Sequence, residues 1–366
     1  MKFFSLPSDF DKNSIDMYVE LNNKTDGPYK NVYISETYGQ LTSGYIHMSG
    51  RASDTLPLIE IKDLERYVDY SNKKDIKFNY TLNASCMGNY EFTDRGLNEI
   101  KLLLRDLENI GVSNLTLTTP SMIEIVKHFS PSMKIKVSAI CQVDSVKKLM
   151  HYMDVGVDRV VVEPSIIREF DLLRDMIKCS DDNLEVIIND KCMRDCPYKI
   201  FHYNQTGHDN NLYAESYYFM NCGVHKSSDF QRYLNSNWIR PEDLYMYEDL
   251  GIKYYKVEGR EFILNGNILK LLKCYIEGNF EGNLLDLLHI FAPYDIKYQP
   301  YIDNKSLDGY VKAFYDNEIK CKQICKSCKH CDTFIEKSFS FPEGLEEKSK
   351  EFYLKRNIFL NKIEKE

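Results

Sequence analysis

Short runs rich in β-branched and aromatic residues alternate along the chain with longer runs in which apolar residues return every three or four positions. The short runs between residues 76 and 190 are IKFNYTLN (76–83), VSNLTLTT (112–119), KIKVSAI (134–140), DRVVVEP (158–164) and LEVIIND (184–190). Segments of helical period fill the gaps at 94–111, 121–130, 142–156 and 165–180. This alternation predicts a parallel sheet built from βαβ units. KFFSL (2–6) and VYISE (32–36) supply two earlier strands, and KYYKVEGR (253–260) a late one, followed by a helix over 261–278. Eight strands in order, with no G-x-G-x-x-G opening any helix, predict a (β/α)8 TIM-type barrel rather than an open doubly wound sheet. The barrel is expected over residues 1–282, interrupted after strand seven by an insertion at 190–250, long enough to be functional or to hold small elements of its own. Residues 283–366, with a cysteine-rich motif at 321–331, are expected to form an appendage beside the barrel, being too few and too polar for a second core.

Closing such a barrel brings the residues after each strand to one face, where barrel enzymes do their chemistry. Those residues are Asn83 and Cys86 after the third strand, Thr118 and Thr119 after the fourth, and Ser138 and Cys141 around the fifth. Glu163 follows the sixth, Asn189 and Asp190 the seventh, and Glu258 and Arg260 the eighth. Polar residues at strand ends are ordinary where loops begin. Charged ones at a barrel rim must pair or bind something.

Composition narrows the classes. With 47 Lys and Arg against 55 Asp and Glu, the net charge is −8, which disfavours wholesale nucleic-acid binding unless a local basic patch overrides it. An apolar content of 43% excludes disorder as the main state. No run of eighteen apolar residues occurs and the N-terminal stretch turns polar at once, so a cytoplasmic protein with no membrane association is expected. Eleven cysteines in a reducing compartment then read as metal ligands or redox groups rather than as disulfides.

Two thiol groups stand out. Cys192 and Cys196 lie three residues apart directly after strand seven, and Cys222 follows in YYFMNCGVHK. Three thiols at a barrel mouth suit an iron–sulfur cluster, whereas structural zinc usually shows C-x2-C knuckles and four tetrahedral ligands. The second group is CKQICKSCKHCD, with Cys321, Cys325, Cys328 and Cys331 spaced C-x3-C-x2-C-x2-C. Clustered thiols among lysines gain nothing as a core, so these too read as ligands. The C-x3-C-x2-C subset resembles the cluster loop of radical SAM enzymes, but it lies beyond the barrel instead of after its first strand, and that chemistry is set aside. Lys320, Lys322, Lys326, Lys329 and His330 interleave with the tail thiols; their charges would lower thiol pKa values or meet phosphate. Seven thiols allow one [4Fe–4S] cluster or two. Cys86, Cys141, Cys179 and Cys274 are read as structural, with Cys86 placed to complete the first group.

INDKCMRDCPYKIFHYN, NWIRPEDLYMYEDLGIKYYKVEGR, GNLLDLL and FNYTLNAS resemble peptidase family U32, the collagenase-like peptidase group, over residues 1–290. The resemblance implies a barrel-type fold with Cys192, Cys196 and Cys222 as cluster ligands. It also implies chemistry other than proteolysis, since many members are iron–sulfur proteins of oxygen-independent hydroxylation, acting on RNA or ubiquinone precursors, some with prephenate as oxygen donor. The chain departs from the better-known members in lacking an obvious nearby fourth cysteine and in carrying the four-cysteine tail.

The expectation is therefore an iron–sulfur enzyme acting on RNA, a peptide or a small anionic metabolite at the barrel mouth. Glu163, Glu258, Arg260 and His202 are the candidate catalytic residues, and Arg240, Asn83 and Asn189 the candidate substrate ligands. The tail thiols would relay electrons, from a protein donor among other sources, or support the fold. Two other classes remain open: a metal-dependent peptidase with Glu163 or Glu258 as base, which no H-E-x-x-H or G-x-S-x-G motif supports, and a non-catalytic cluster-bearing subunit.

Overall fold

The computed structural model describes residues 1–208, 217–321, 324 and 327–364. Seven parallel strands follow one another around a ring: β1 (Lys2–Pro7), β2 (Val32–Gly39), β3 (Lys77–Leu82), β4 (Asn114–Leu117), β5 (Lys134–Val137), β6 (Arg159–Val161) and β7 (Leu184–Ile187). The chain then leaves the ring through an antiparallel pair, β8 (Asn189–Met193) with β9 (Ser236–Trp238). It returns as β10 (Tyr254–Lys256), which pairs with both β7 and β1 and closes the barrel. This is the (β/α)8 architecture, and each of its strands falls within or overlaps a run that the hydrophobic pattern singles out.

One side of each strand feeds the layer between sheet and helices. Phe4, Ile34, Val186 and Tyr255 are fully buried there. The other side is unusually polar. Lys136 on β5 forms ion pairs with Glu36 on β2 and, at 2.6 Å, with Glu185 on β7. Since β2 and β5 are not neighbours in the ring, this contact crosses the barrel's interior. Ser5 donates to Glu36 at 2.7 Å, and Arg159 reaches Glu185 at 3.4 Å, so charges from four strands and a hydroxyl from a fifth close one network. Burial alone would raise the Glu36 carboxyl, but Lys136 and Arg159 hold it down to about 2.

The insertion after β7 carries helices Lys199–Gly207 and Tyr217–Ser228. The second packs against a C-terminal helix, Leu345–Arg356, and Gly223 is what lets them meet: a Cβ there would lie 2.3 Å from the Tyr353 ring. The Tyr353 hydroxyl donates to Asp295 at 2.9 Å. Leu284, Ile302, Tyr310, Phe314, Phe334 and Phe339 belong to the same continuous core as the barrel's helices, so the chain beyond residue 283 extends that core. No helix among the described residues is long and apolar enough to cross a membrane.

Candidate active site at the barrel mouth

The C-terminal ends of the strands are roofed by two segments, the loop after β2 and the helix Lys199–Gly207. Thr206 donates to the Gly50 carbonyl at 3.1 Å and Ser85 to Asn204 at 2.6 Å, which ties that helix to the loops after β2 and β3. Arg51 in the first loop forms an ion pair with Glu261.

Beneath this roof lies Arg260, only 6% exposed. Its Nη1 donates to Gln40, to Thr81 and, at 3.3 Å, to Ser49; its Nη2 donates to Asn83 at 3.3 Å. The same Asn83 oxygen accepts from Gly50 N at 3.0 Å, so Asn83 positions both the loop and the guanidinium. Burial first, then the charge of Arg51, pushes Arg260 down to about 10.

Glu258 is half-buried two residues before Arg260. Burial and the neighbouring Asp190 push its carboxyl from the usual 4.5 up to about 8, with Arg51 opposing, so it carries a proton at neutral pH. Folding then takes up a proton that the unfolded chain has released, and this contribution is full below the ordinary carboxylate range and lost as pH rises towards about 8. Melting of Glu258→Gln against wild type across pH 5 to 9 should show the variant gaining relative stability as pH rises; parallel curves would contradict this protonation.

Glu163 sits at the end of β6, its Oε1 bonded to Lys199 and, at 2.8 Å, to the Ser165 hydroxyl. Its Oε2 is buried with no hydrogen-bond partner among the described residues. His202, on the roofing helix, is pushed down to about 4 by burial and then by Arg51, and is neutral at pH 7.

Two of the expected substrate ligands do other work. Asn189 donates to the Glu258 carbonyl at 2.8 Å and accepts from Glu258 N at 2.8 Å, so its amide staples β8 to the end of β10. Arg240 is 1% exposed, and its fork is spent on Asp243 at 2.8 and 2.9 Å and on the Asn304 carbonyl at 2.6 Å. It clamps the insertion to the C-terminal region and offers nothing to a substrate.

Cys192 lies on β8, its backbone N–H donating to Asp190 at 2.8 Å. Burial and Asp190 raise its thiol well above the usual range, Lys199 opposes, and Cys222 adds its own repulsion. Cys222, on helix Tyr217–Ser228, is raised by burial, relieved by Lys226 and raised by Cys196. The three thiols therefore sense one another in one half-buried patch edged by lysines. Among the described residues, no three His, Cys, Asp or Glu side chains converge on a point where one ion would sit. The donor chemistry, soft half-buried thiols with cations to offset thiolate charge, fits an iron–sulfur cluster.

Of the tail thiols, Cys321 and Cys331 are half-buried, Cys328 is exposed, and Cys325 lies outside the described residues, as do Lys322 and Lys326. Cys331 Sγ is 3.5 Å from Asn235 Oδ1 and 3.6 Å from the Tyr310 hydroxyl. Cys321 is felt by Arg194, which stands between Cys192 and Cys196 in the chain. The tail thus docks on the segment that bears the first thiol group. Lys320 pairs with Asp171 and Lys329 with Asp332, both at 3.2 Å, and His330 stacks on Tyr310.

Sequence reasoning passes over Arg51, Lys199, Glu261 and Lys256. Arg51 sits in a loop with no periodicity; Lys199 and Lys256 look like ordinary surface lysines within the strong motifs around them.

An uncharacterised protease of Methanocaldococcus jannaschii is 28% identical over 342 residues, covering 91% of this chain and 97% of its own length. A solved U32 peptidase superposes with a TM-score of 0.49 at 15% identity, over 71% of this chain and 93% of its own. The model of peptidase family U32 matches residues 31–263, from the start of β2 past the closing strand. Spanning more than half of the sequence and nearly all of the barrel, that match makes the chain a member of peptidase family U32.

Proposed function

We propose that the chain is an iron–sulfur enzyme modifying a substrate at the barrel mouth, by oxygen-independent hydroxylation or related redox chemistry. The observation that supports this best is the patch of three mutually sensing thiols, Cys192, Cys196 and Cys222, next to Asp190 and Glu258. When bound there, a [4Fe–4S] cluster would supply one-electron redox chemistry. The chain's own residues do the rest. Glu258 holds a proton for donation, neutral His202 offers a hydrogen bond without charge, and Arg260 with Arg51 favours an anionic group. The roof of loop and helix excludes water. Of the tail thiols, Cys331 lies against Asn235 and Cys321 is within the field of Arg194; a second cluster held by the tail would pass electrons to the first or brace the insertion.

Peptide hydrolysis is the second reading, favoured by the name of the Methanocaldococcus relative. A carboxyl protonated at neutral pH is a poor base, which leaves Glu163 to activate water in that case. Labelled casein incubated with metal-free protein and with anaerobically reconstituted protein separates the two. No cleavage by either form is expected, and cleavage by the iron-free protein would replace the redox reading with the hydrolase.

A further inference from the structure

The barrel's interior charges can be paired off, and two remain. Lys136 serves Glu36 and Glu185, with Arg159 in the same network. Lys199 serves Glu163, and Arg51 serves Glu261. Lys256 and Arg260 have no ion-pair partner among the described residues. Arg260 is held by neutral oxygens of Gln40, Ser49, Thr81 and Asn83, and its Nε carries no hydrogen bond there. The ammonium of Lys256, half-buried at the end of β10, makes no hydrogen bond among them; its Nζ rests 4.0 Å from the centre of the Tyr38 ring. The guanidinium carbon of Arg260 lies 5.7 Å from the same ring. Tyr38 is fixed by donating its hydroxyl to the Val257 carbonyl at 2.7 Å, so both cations lie against one rigid ring.

Holding two like charges against one buried ring is unfavourable without a counter-ion. The acids whose fields reach Arg260 do not fill that role, since Glu261 is taken by Arg51 and Glu258 forms no ion pair with either cation among the described residues. The Nε edge of a guanidinium together with an ammonium suits an oxyanion.

We propose that Lys256 and Arg260 form an oxyanion subsite, over the Tyr38 ring, for the carboxylate or phosphate of a small substrate. This rests on the barrel mouth being the substrate site, and it adds Lys256 as a substrate ligand. The environment gives the subsite a signature. Burial first, then Lys136 and Arg260, push Lys256 down to about 7, while Glu185 and Glu36 oppose. Bound anion would reverse that shift, so binding at pH 8 draws a proton onto Lys256.

The test uses the full chain, anaerobically purified with its iron, titrated calorimetrically at pH 8 with malonate and separately with inorganic phosphate. Each titration is run in two buffers of different ionisation enthalpy. Saturable binding of one of them with uptake approaching one proton is expected, malonate marking a carboxylate substrate and phosphate a phosphorylated one. Lys256→Met should lose the proton uptake and weaken binding at least about tenfold, the scale of one charge-assisted contact. It should also melt higher than wild type without anion, because it removes an ammonium that folding must desolvate or deprotonate. Arg260→Gln gives a second variant, expected to weaken binding with a smaller proton uptake, since the Arg260 charge is one of those that hold Lys256 low. Binding by Lys256→Met equal to wild type, binding without proton uptake, or no binding of either anion would overturn the subsite. Iron content, measured on the same samples, is the separate readout of the cluster reading: a full iron count without anion binding sinks this inference alone.

Discussion

Cys192→Ser is expected to yield a folded barrel that has lost its iron. A serine hydroxyl is a hard, weakly acidic donor in place of a soft thiolate, and the surroundings already disfavour charge on this group through burial and Asp190. The fold should survive, since β8 lies outside the closed ring and Cys192 is only half-buried. Cys141→Ser is the matched control. That thiol donates to the Thr118 carbonyl at 3.0 Å and burial pushes it up to about 12, marking a neutral packing group far from ligand chemistry. Iron assay with circular dichroism on both variants should show loss of iron with retained fold for the first and full iron for the second. Full iron in Cys192→Ser would remove it from the ligand set.

Lys136→Met should cost about 3–5 kcal/mol, because it leaves Glu36 and Glu185 buried in the barrel with Arg159 as their remaining counter-charge. For a chain of this length, that is a drop in Tm of about 5 °C. The defect has a sign in pH. Without Lys136 the Glu36 carboxyl loses the largest charge that holds it low, its pKa rises, and its protonation below neutrality relieves the repulsion. The gap from wild type should therefore shrink between pH 7 and pH 5, and Lys136→Met with Glu36→Gln should recover part of the loss. A Lys136→Met melt indistinguishable from wild type at pH 7 would mean that the network contributes specificity alone.

The barrel was legible because its strands are short β-branched or aromatic runs separated by helices of clear period, and that signal survives at β10 even though only three residues pair. The β8–β9 pair was not legible. Its two strands are short, mix polar and apolar residues, and lie more than forty residues apart, with no turn between them to announce a hairpin. Glu258 and Arg260 were visible as charges at a strand end, whereas their protonation depends on Asp190 and Arg51, which only the closed fold brings near. Arg240 misled for a local reason: Asp243, three residues on, takes its fork before any substrate can. Lys256 was hidden by the opposite circumstance, since a lysine in a strand end looks like surface until Glu36, Glu185 and Glu261 are seen to be paired elsewhere.

The central claim is that a cluster sits on the barrel-mouth thiols. Iron and acid-labile sulfide, assayed on anaerobically purified protein alongside Cys222→Ser, test it most directly. Brown protein with about four irons and matching sulfide, or about eight if the tail thiols bind a second cluster, is expected, with about four lost in the variant. Colourless protein holding stoichiometric zinc, or a variant with undiminished iron, would contradict it.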